Sequence, residues 1–418
     1  MSDLDTAPVP ASATDLQDER LRRSTSIGGS IALLRDQIRG GDLGLIPVIA
    51  GLVVIATVLQ ILNPIFLSST NLVNLLLECA PVGVIALGIV CVLLVGEIDL
   101  SVGSVSGLSA ATVAIGFVNR DWPVWLAIVA AVAMGCVIGW VYSQAFNRFG
   151  VPSFVISLAG LLSLLGVQLK VLGATGSVNL PFDSALVRFA QLAFVPDWLS
   201  YLLVLLAGVA LFVVGYAHGR ARRRAGLSDR SLTVLAVRSA ALVVILGSAV
   251  WYLNRTRGVG WMFVLFVALV LALHYALSRT RWGKSIYAVG GNVEAARRAG
   301  INVRVVYTSA FVLCTSLAAL GGVLAAARLA AANQSSGGGD VNLNAIAAAV
   351  IGGTSLFGGR GTAFAALLGI LVIQSISSGL TLINLDSSYR FIVTGVVLLL
   401  AVAVDSVARR SRKSSGRA

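Results

Sequence analysis

Residues 80–104 decide the fold, and they read APVGVIALGIVCVLLVGEIDLSVGS. The first part, residues 80–95, carries no charge over about 16 residues, close to the length that an α-helix needs to cross a bilayer. Glu97 and Asp99 then interrupt the apolar sequence, and a second apolar stretch, rich in small residues, begins at Ser101. The stretch therefore predicts two membrane helices that are joined by a polar break.

The composition of the whole chain is that of a membrane protein. Of its 418 residues 57% are hydrophobic and only 12% are charged, and the mean hydropathy is +0.91. Soluble globular chains carry about twice that charged fraction, so the composition excludes a soluble enzyme, a disordered chain and a disulfide-stapled secreted domain. Apolar runs of up to about 20 residues favour helices over the shorter strands of a β-barrel. We therefore predict an all-α polytopic membrane protein.

About twelve apolar segments follow one another along the chain. The tenth segment and the 96–101 junction are candidates for broken or half-crossing helices, which need protein or water around their exposed backbone. The segments cover residues 45–62, 80–95, 101–118, 123–145, 152–172, 199–217, 232–252, 259–277, 306–329, 344–356, 362–384 and 388–407.

The basic residues predict the orientation. With the N-terminus inside, the predicted inner segments hold 23 of the 31 Lys and Arg residues, and the outer segments hold four. Cytoplasmic loops carry this excess of positive charge, so both termini are predicted to be cytoplasmic, and the net charge of +13 does not require nucleic acid as a partner. Residues 1–44 are predicted to be a mostly flexible tail, residues 45–408 the transmembrane domain and residues 409–418 a basic tail.

The polar break after residue 95 is the first candidate functional feature. Ionisable groups at membrane depth are costly, and they are by default candidates for function. Glu97 and Asp99 are therefore candidates for lining or gating a passage, together with Ser101, Gly103 and Ser104. The alternative is structural, because Ser101 or Asp99 could cap the helix that follows. The sequence leaves both interpretations open.

The inner loop at residues 278–305 is the second feature, because it encodes a short helix with signals at both ends. Asn292 can cap the helix, and Glu294 suits its first turn. Arg297 and Arg298 suit its last turn, and Gly300 can end it. A capped cytoplasmic helix between two spans suits docking onto a soluble partner; the alternative is an amphipathic loop that lies on the membrane surface.

A glycine-rich segment from Asn342 to Thr362 is the third feature. Five glycines fall within residues 352–361, so this backbone cannot form a straight helix, and we expect a break or a re-entrant turn. The segment weakly resembles residues 86–111, which suggests an internal repeat with a discontinuous helix in each half, the usual setting of a transport path. The candidates here for the path or its gate are Asn344, Gly352, Gly353, Thr354 and Ser355.

Chemistry other than transport finds little support in the sequence. The four cysteines and two histidines show no metal-ligand spacing, so we predict neither a metal site nor a catalytic residue. Gly283-Lys284-Ser285 lacks the earlier glycine and the preceding strand of a phosphate-binding loop. We therefore predict that this chain binds no nucleotide and is not an enzyme.

Three motifs together resemble the permease subunits of bacterial monosaccharide ABC importers, in the ribose, xylose, arabinose and galactose branch. The resemblance covers about residues 45–408. Its motifs are residues 96–103 (GEIDLSVG), 290–303 (GGNVEAARRAGINV) and 345–356 (AIAAAVIGGTSL).

The resemblance implies a complex in the bacterial inner membrane. Two permease copies would form the passage, a cytoplasmic ATPase, often with two fused nucleotide-binding domains, would use the ATP and Mg, and an extracytoplasmic binding protein would deliver the sugar. The loop that docks on the ATPase would comprise Gly290, Gly291, Asn292, Glu294, Ala295, Ala296, Arg297, Arg298 and Gly300.

Residues 174–258 are additional relative to ribose-type permeases, and they resemble the longer xylose-type ones. The family usually has acidic residues where this chain has Asn342 and Asn344, which weakens a charge-based role there. The leading hypothesis is a permease for xylose or a related aldose. The alternative from another class is a stand-alone secondary sugar carrier or facilitator, which the number of spans fits equally well.

Overall fold

The computed structural model describes residues 46–225, 231–338, 340–386, 388–389, 391–397, 399–400 and 403. Most of these residues are helical, and nine of the described helices are long and apolar enough to cross a membrane. Two shorter apolar helices, Ile46–Leu62 and Asp340–Ile351, accompany them. The prediction of an all-α polytopic membrane protein is confirmed. The cytoplasmic location of the termini stays a prediction, and the tails at 1–44 and 409–418 lie outside the described residues.

The helices follow the predicted apolar segments in order, with short elements between them. In chain order they are α1 (Ile46–Leu62), α2 (Ser69–Leu94), α3 (Val102–Ala114, continued by a π-helical turn Ile115–Asn119), α4 (Val124–Phe149), α5 (Ser153–Leu172), β1 (Ser177–Asn179), α6 (Ala185–Gln191), α7 (Asp197–Arg224), α8 (Leu232–Leu253), α9 (Trp261–Arg279), α10 (Arg281–Gly291), α11 (Val293–Arg298), α12 (Val303–Leu329), β2 (Ala331–Asn333), α13 (Asp340–Ile351) and α14 (Phe364–Leu382). Described residues of the last predicted segment, including 391–397, are also helical.

The core forms around α12, which packs against α2, α3 and α4. Small residues permit this packing, because they let helix backbones approach closely. A Cβ on Gly322 would overlap the Ser106 carbonyl of α3, and Ser109 Oγ donates a hydrogen bond to the Ala319 carbonyl at 2.6 Å. The small-residue spacing in these two helices thus serves helix contact.

Among the helix boundaries that differ from the sequence prediction, two bear on the candidate site. The second span begins at Ser69 rather than at residue 80, because Ser68 caps it by accepting a hydrogen bond from the Asn71 N–H. Polar residues in the first two turns hid this start in the apolar profile. The tenth segment, predicted over residues 344–356, is a helix only over Asp340–Ile351. That helix is about 18 Å long at 1.5 Å per residue, which is too short to cross a bilayer.

Residues 195–258 form a compact unit of their own, which consists of α7 and α8. The two helices pack side by side, and Asn254 Nδ2 donates a hydrogen bond to Ser200 Oγ at 3.1 Å. Residues 174–194 belong instead to the larger unit, where β1 pairs antiparallel with β2 and α6 packs on α12. The separate part of the predicted additional segment 174–258 therefore begins at Val195.

Candidate functional site

The polar break between α2 and α3 is held by Asp99. The Asp99 side chain is fully buried, and its Oδ1 accepts hydrogen bonds from the Ser101 backbone N–H at 2.8 Å and the Ser101 hydroxyl at 2.7 Å. Ser101 occupies the N-cap position of α3, but its side chain makes no capping bond to the helix. The expected cap by the Ser101 side chain is therefore wrong, because its hydroxyl is turned towards Asp99.

Burial affects both carboxyl groups of this break, fully at Asp99 and partly at Glu97. Burial raises the pKa of Asp99, and the hydrogen bonds from Ser101 oppose that rise. Burial also raises the pKa of the half-buried Glu97, against the opposing effect of a hydrogen bond with Ser153. The fully buried Asp99 does not line an open passage in this conformation, and a role of either carboxyl in lining or gating stays a prediction.

The start of α3 lies against the start of α13. Asn342 Nδ2 of α13 donates a hydrogen bond to the Leu100 carbonyl at 2.6 Å, and a Cβ on Gly103 would lie 2.5 Å from the Gly337 carbonyl. Ser104 Oγ reaches the Leu161 carbonyl of α5 at 2.9 Å. The polar break and the start of the Asn342–Thr362 segment thus meet in space, with Asn344 half-buried on the same helix as Asn342.

The glycine-rich segment forms the expected break after α13. The chain leaves the helix at Ile351 and folds into turns, in which the Thr354 N–H donates to the Ala349 carbonyl at 3.0 Å and the Ser355 N–H to the Arg360 carbonyl at 3.0 Å. Thr354 and Ser355 are only 2% and 5% exposed. Gly353 has a φ of +100°, which side chains rarely adopt. The break is confirmed, whereas the gate roles of Gly352, Gly353, Thr354 and Ser355 stay predictions.

The capped helix of the inner loop is also present as α11. Asn292 Oδ1 accepts a hydrogen bond from the Ala295 N–H at 2.9 Å, and Gly300 follows the helix with a φ of +81°. Arg297 Nη1 lies 2.9 Å from Glu294 Oε1, and both side chains are about two-thirds exposed. Ala296 alone in α11 is buried. The polar face of the helix is therefore available to a partner, and docking there stays a prediction.

Three backbone segments converge beside this loop, which the sequence did not predict. The end of α10 at Gly290, the end of α2 at Leu94 and the turn at Gly358–Gly359 meet at what we call the glycine junction. The Gly359 N–H donates a hydrogen bond to the Leu94 carbonyl at 2.9 Å. A Cβ on Gly290 would overlap that same carbonyl. Only residues without a side chain permit so close a contact.

A side chain adds a second connection at the junction. The Tyr287 hydroxyl of α10 donates a hydrogen bond to the Gly361 carbonyl at 2.8 Å. The α10 helix, which leads into α11, thus contacts the turn after α13 through the Tyr287 side chain. Its backbone also contacts the end of α2, where the polar break begins, and the same turn after α13. The signal in the sequence was the pair of glycine doublets at 290–291 and 358–359, which are 68 positions apart and show no local pattern that links them.

The comparison with known families decides the identity. Residues 71–402 match the family described as the permease component of the branched-chain amino acid transport system. The chain belongs to this permease family. The match includes all three sequence motifs, and the resemblance drawn from them is confirmed.

Two kinds of curated relative cover most of the permease. The xylose transport system permease protein XylH of Escherichia coli (strain K12) is 36% identical over 351 residues, which are 82% of this chain and 87% of that protein. The protein of the same name in Haemophilus influenzae is 35% identical over 82% of this chain and 90% of its own length. The ribose import permease protein RbsC of Escherichia coli (strain K12) is 32% identical over 85% of this chain and 91% of that protein. No solved structure matches the permease.

The family and the candidate spans together place the permease in the membrane as a multi-pass protein. In the part of the chain that the structure describes, no group of three or more His, Cys, Asp or Glu side chains could hold a metal ion. The candidate functional site consists of the polar break between α2 and α3, the glycine-rich turn after α13 and the exposed helix α11.

Proposed function

We propose that this permease is the membrane subunit of an ATP-driven importer for a monosaccharide, xylose or a related aldose. Support comes from the xylose and ribose permeases that match over most of their length. In this proposal two copies form the passage in the bacterial inner membrane, and an extracytoplasmic binding protein delivers the sugar. ATP and Mg are used by a cytoplasmic partner with two fused nucleotide-binding domains.

The observation that carries the proposal is the connection between α11 and both helix breaks. In the proposed mechanism the ATPase holds α11 by its exposed face, and its movement displaces Gly290 and Tyr287. Because Gly290 contacts Leu94 and Gly359, the displacement reaches the end of α2 and the turn after α13 together. Tightly packed backbone transmits such a shift instead of absorbing it.

The structure of α10 agrees with a mechanism in which a partner subunit binds and hydrolyses the ATP. Gly283, Lys284 and Ser285 lie inside a regular helix, where Thr280 caps the first turn by accepting from the Gly283 N–H at 3.1 Å. A phosphate-binding loop needs a free glycine-rich loop before its helix. Residues 283–285 therefore do not form a phosphate-binding loop, and we propose that the nucleotide site lies on the partner.

Co-purification in mild detergent from native membranes tests the proposal first. We expect an ATPase to remain bound, and its rate to rise with one sugar-loaded binding protein among a panel of pentoses and hexoses. The sugar whose loaded binding protein raises the ATPase rate is then identified as the substrate. A chain without a partner that still catalyses sugar counterflow in liposomes would make the protein a secondary carrier and overturn the proposal.

The double change Glu294→Ala with Arg297→Ala should release the ATPase without unfolding the permease. Exposed ion pairs contribute about 0–1 kcal/mol to stability, so the loss is expected in docking. The measurement is the ratio of ATPase to permease after purification, beside the melting temperature of the permease. Asp183→Ala with Arg188→Ala is the matched control, since it removes one exposed acid and one exposed base from the segment predicted to be extracytoplasmic. An unchanged ratio in the α11 variant would refute the docking role of α11.

A further inference from the structure

A row of polar side chains joins α2 and α14, and the functional proposal above does not use it. Asn71 and Glu78 are seven residues apart on α2, and Gln374 and Ser378 are four apart on α14, so each pair lies on one face of its helix. Gln374 Nε2 donates a hydrogen bond to Glu78 Oε2 at 2.5 Å, and Ser378 Oγ donates to Asn71 Oδ1 at 3.2 Å. Together with Arg328 these four residues are called the polar seam.

Arg328 adds a positive charge from a third helix. It lies in the last turn of α12, and its Nη2 is 3.5 Å from Glu78 Oε1. The Arg328 carbonyl accepts a hydrogen bond from Gln191 Nε2 at 2.9 Å, which fixes this helix end. The side chains of Arg328 and Glu78 are 27% and 41% exposed, so the ion pair is accessible from outside the chain.

Glu78 lies more than two turns inside α2, and a part-exposed carboxylate at that depth does not suit contact with lipid tails. Charged groups at membrane depth are costly, and they face the protein interior or a water-filled cavity. Hydrogen bonds that only hold helices together would not need a half-exposed carboxylate and guanidinium. The pair is therefore best explained by a polar space outside this single chain, which the proposed passage between two copies would supply.

The chemistry of the seam selects a neutral polyhydroxyl ligand. Glu78 keeps acceptor positions beyond those used by Arg328 and Gln374, and the part-exposed Arg328 guanidinium has five N–H donors, more than its ion pair with Glu78 uses. Sugar hydroxyls both donate and accept, and they match such a mixture. The opposite charges of Glu78 and Arg328 balance, so neither an anion nor a cation is favoured.

We propose that the polar seam binds the hydroxyl groups of the transported sugar at the extracytoplasmic end of the passage, after release from the binding protein. This inference rests on the proposed function and on the predicted orientation, in which α12 ends on the outer side at Arg328. The seam is then a receiving site, separate from the breaks and the glycine junction near the cytoplasmic end.

The test is the amount of sugar taken up per ATP hydrolysed by the full complex in proteoliposomes. We expect Arg328→Gln and Glu78→Gln to lower this ratio for D-xylose and D-ribose about tenfold, as for the loss of one hydrogen bond to a charged group. ATPase stimulation by the loaded binding protein should stay within about twofold of the parent. Arg188→Gln removes an exposed arginine from α6, which is not a candidate span, on the same predicted outer side, and is the matched control. An unchanged ratio in both seam variants would overturn the inference.

A charge exchange separates ligand binding from a purely structural role. Glu78→Arg with Arg328→Glu retains an ion pair, so it should restore assembly if a single change impairs folding. If the pair only holds helices together, the exchange also restores uptake, and the inference fails. If the seam binds sugar, uptake per ATP stays low. If the parent complex contains no stimulated ATPase, the proposed function fails separately, and D-xylose counterflow with the same variants still tests the seam.

Discussion

Replacing Gly290 by alanine should lower sugar-stimulated ATPase activity of the complex about tenfold and lower the melting temperature of the permease. The new Cβ would overlap the Leu94 carbonyl and lie 2.6 Å from the Gly359 nitrogen. It would thus intrude on the hydrogen bond between those two groups. Overpacking costs about 1–3 kcal/mol, and the hydrogen bond contributes about 0.5–1.5 kcal/mol. Together these costs exceed about 1.4 kcal/mol, which corresponds to a tenfold change in an equilibrium.

The adjacent glycine supplies the control for this prediction. A Cβ on Gly291 would meet no atom within 4 Å, and Gly291 does not have a positive φ. Gly291→Ala therefore makes the same chemical change one residue away and should keep nearly full stimulation. Equal losses in the two variants would mean that a side chain anywhere at this end of the docking loop lowers activity, and that the close contact at the glycine junction is not the cause. The comparison uses stimulated ATPase rate and melting temperature on the same purified complexes.

Local features of this permease were predictable because they depend on neighbouring residues. The cap of α11 follows from Asn292, Glu294 and Gly300, which act within one short helix. The break after Ile351 follows from a glycine-rich run that no straight helix accommodates. In both cases the residues that decide the structure lie within a few positions of it.

The glycine junction was not predictable because its contacts join distant parts of the chain. Gly359 and Leu94 are 265 positions apart, and nothing in either local sequence indicates the other. The true start of α2 was missed for a different reason. The apolar profile excluded Asn71 and Glu78, although Ser68 provided a local capping signal. The same two residues belong to the polar seam. The polar residues that excluded the first turns of α2 from the apolar profile are thus the ones proposed to bind the sugar.

Asp99→Leu should abolish stable assembly of the permease, whereas Asp99→Asn should remain close to the parent protein. Asp99 is fully buried, and its Oδ1 accepts from both the N–H and the hydroxyl of Ser101. Leucine leaves these two buried donors without an acceptor, at about 1–3 kcal/mol for each. Asparagine keeps an acceptor oxygen in an isosteric side chain.

The contrast between these two variants separates the structural from the functional interpretation of this residue. Because burial already disfavours the charged carboxyl, removing the charge should cost little folding stability. The measurements are the amount of monodisperse permease after detergent extraction, its melting temperature and sugar uptake by the reconstituted complex. If Asp99 acts only as a hydrogen-bond acceptor for Ser101, a variant that is stable also takes up sugar. Asp99→Asn is then stable and active, and Asp99→Leu is neither. If Asp99→Asn is stable but transports as poorly as Asp99→Leu, the charge itself takes part in the transport cycle, and the polar break between α2 and α3 is then part of the gate.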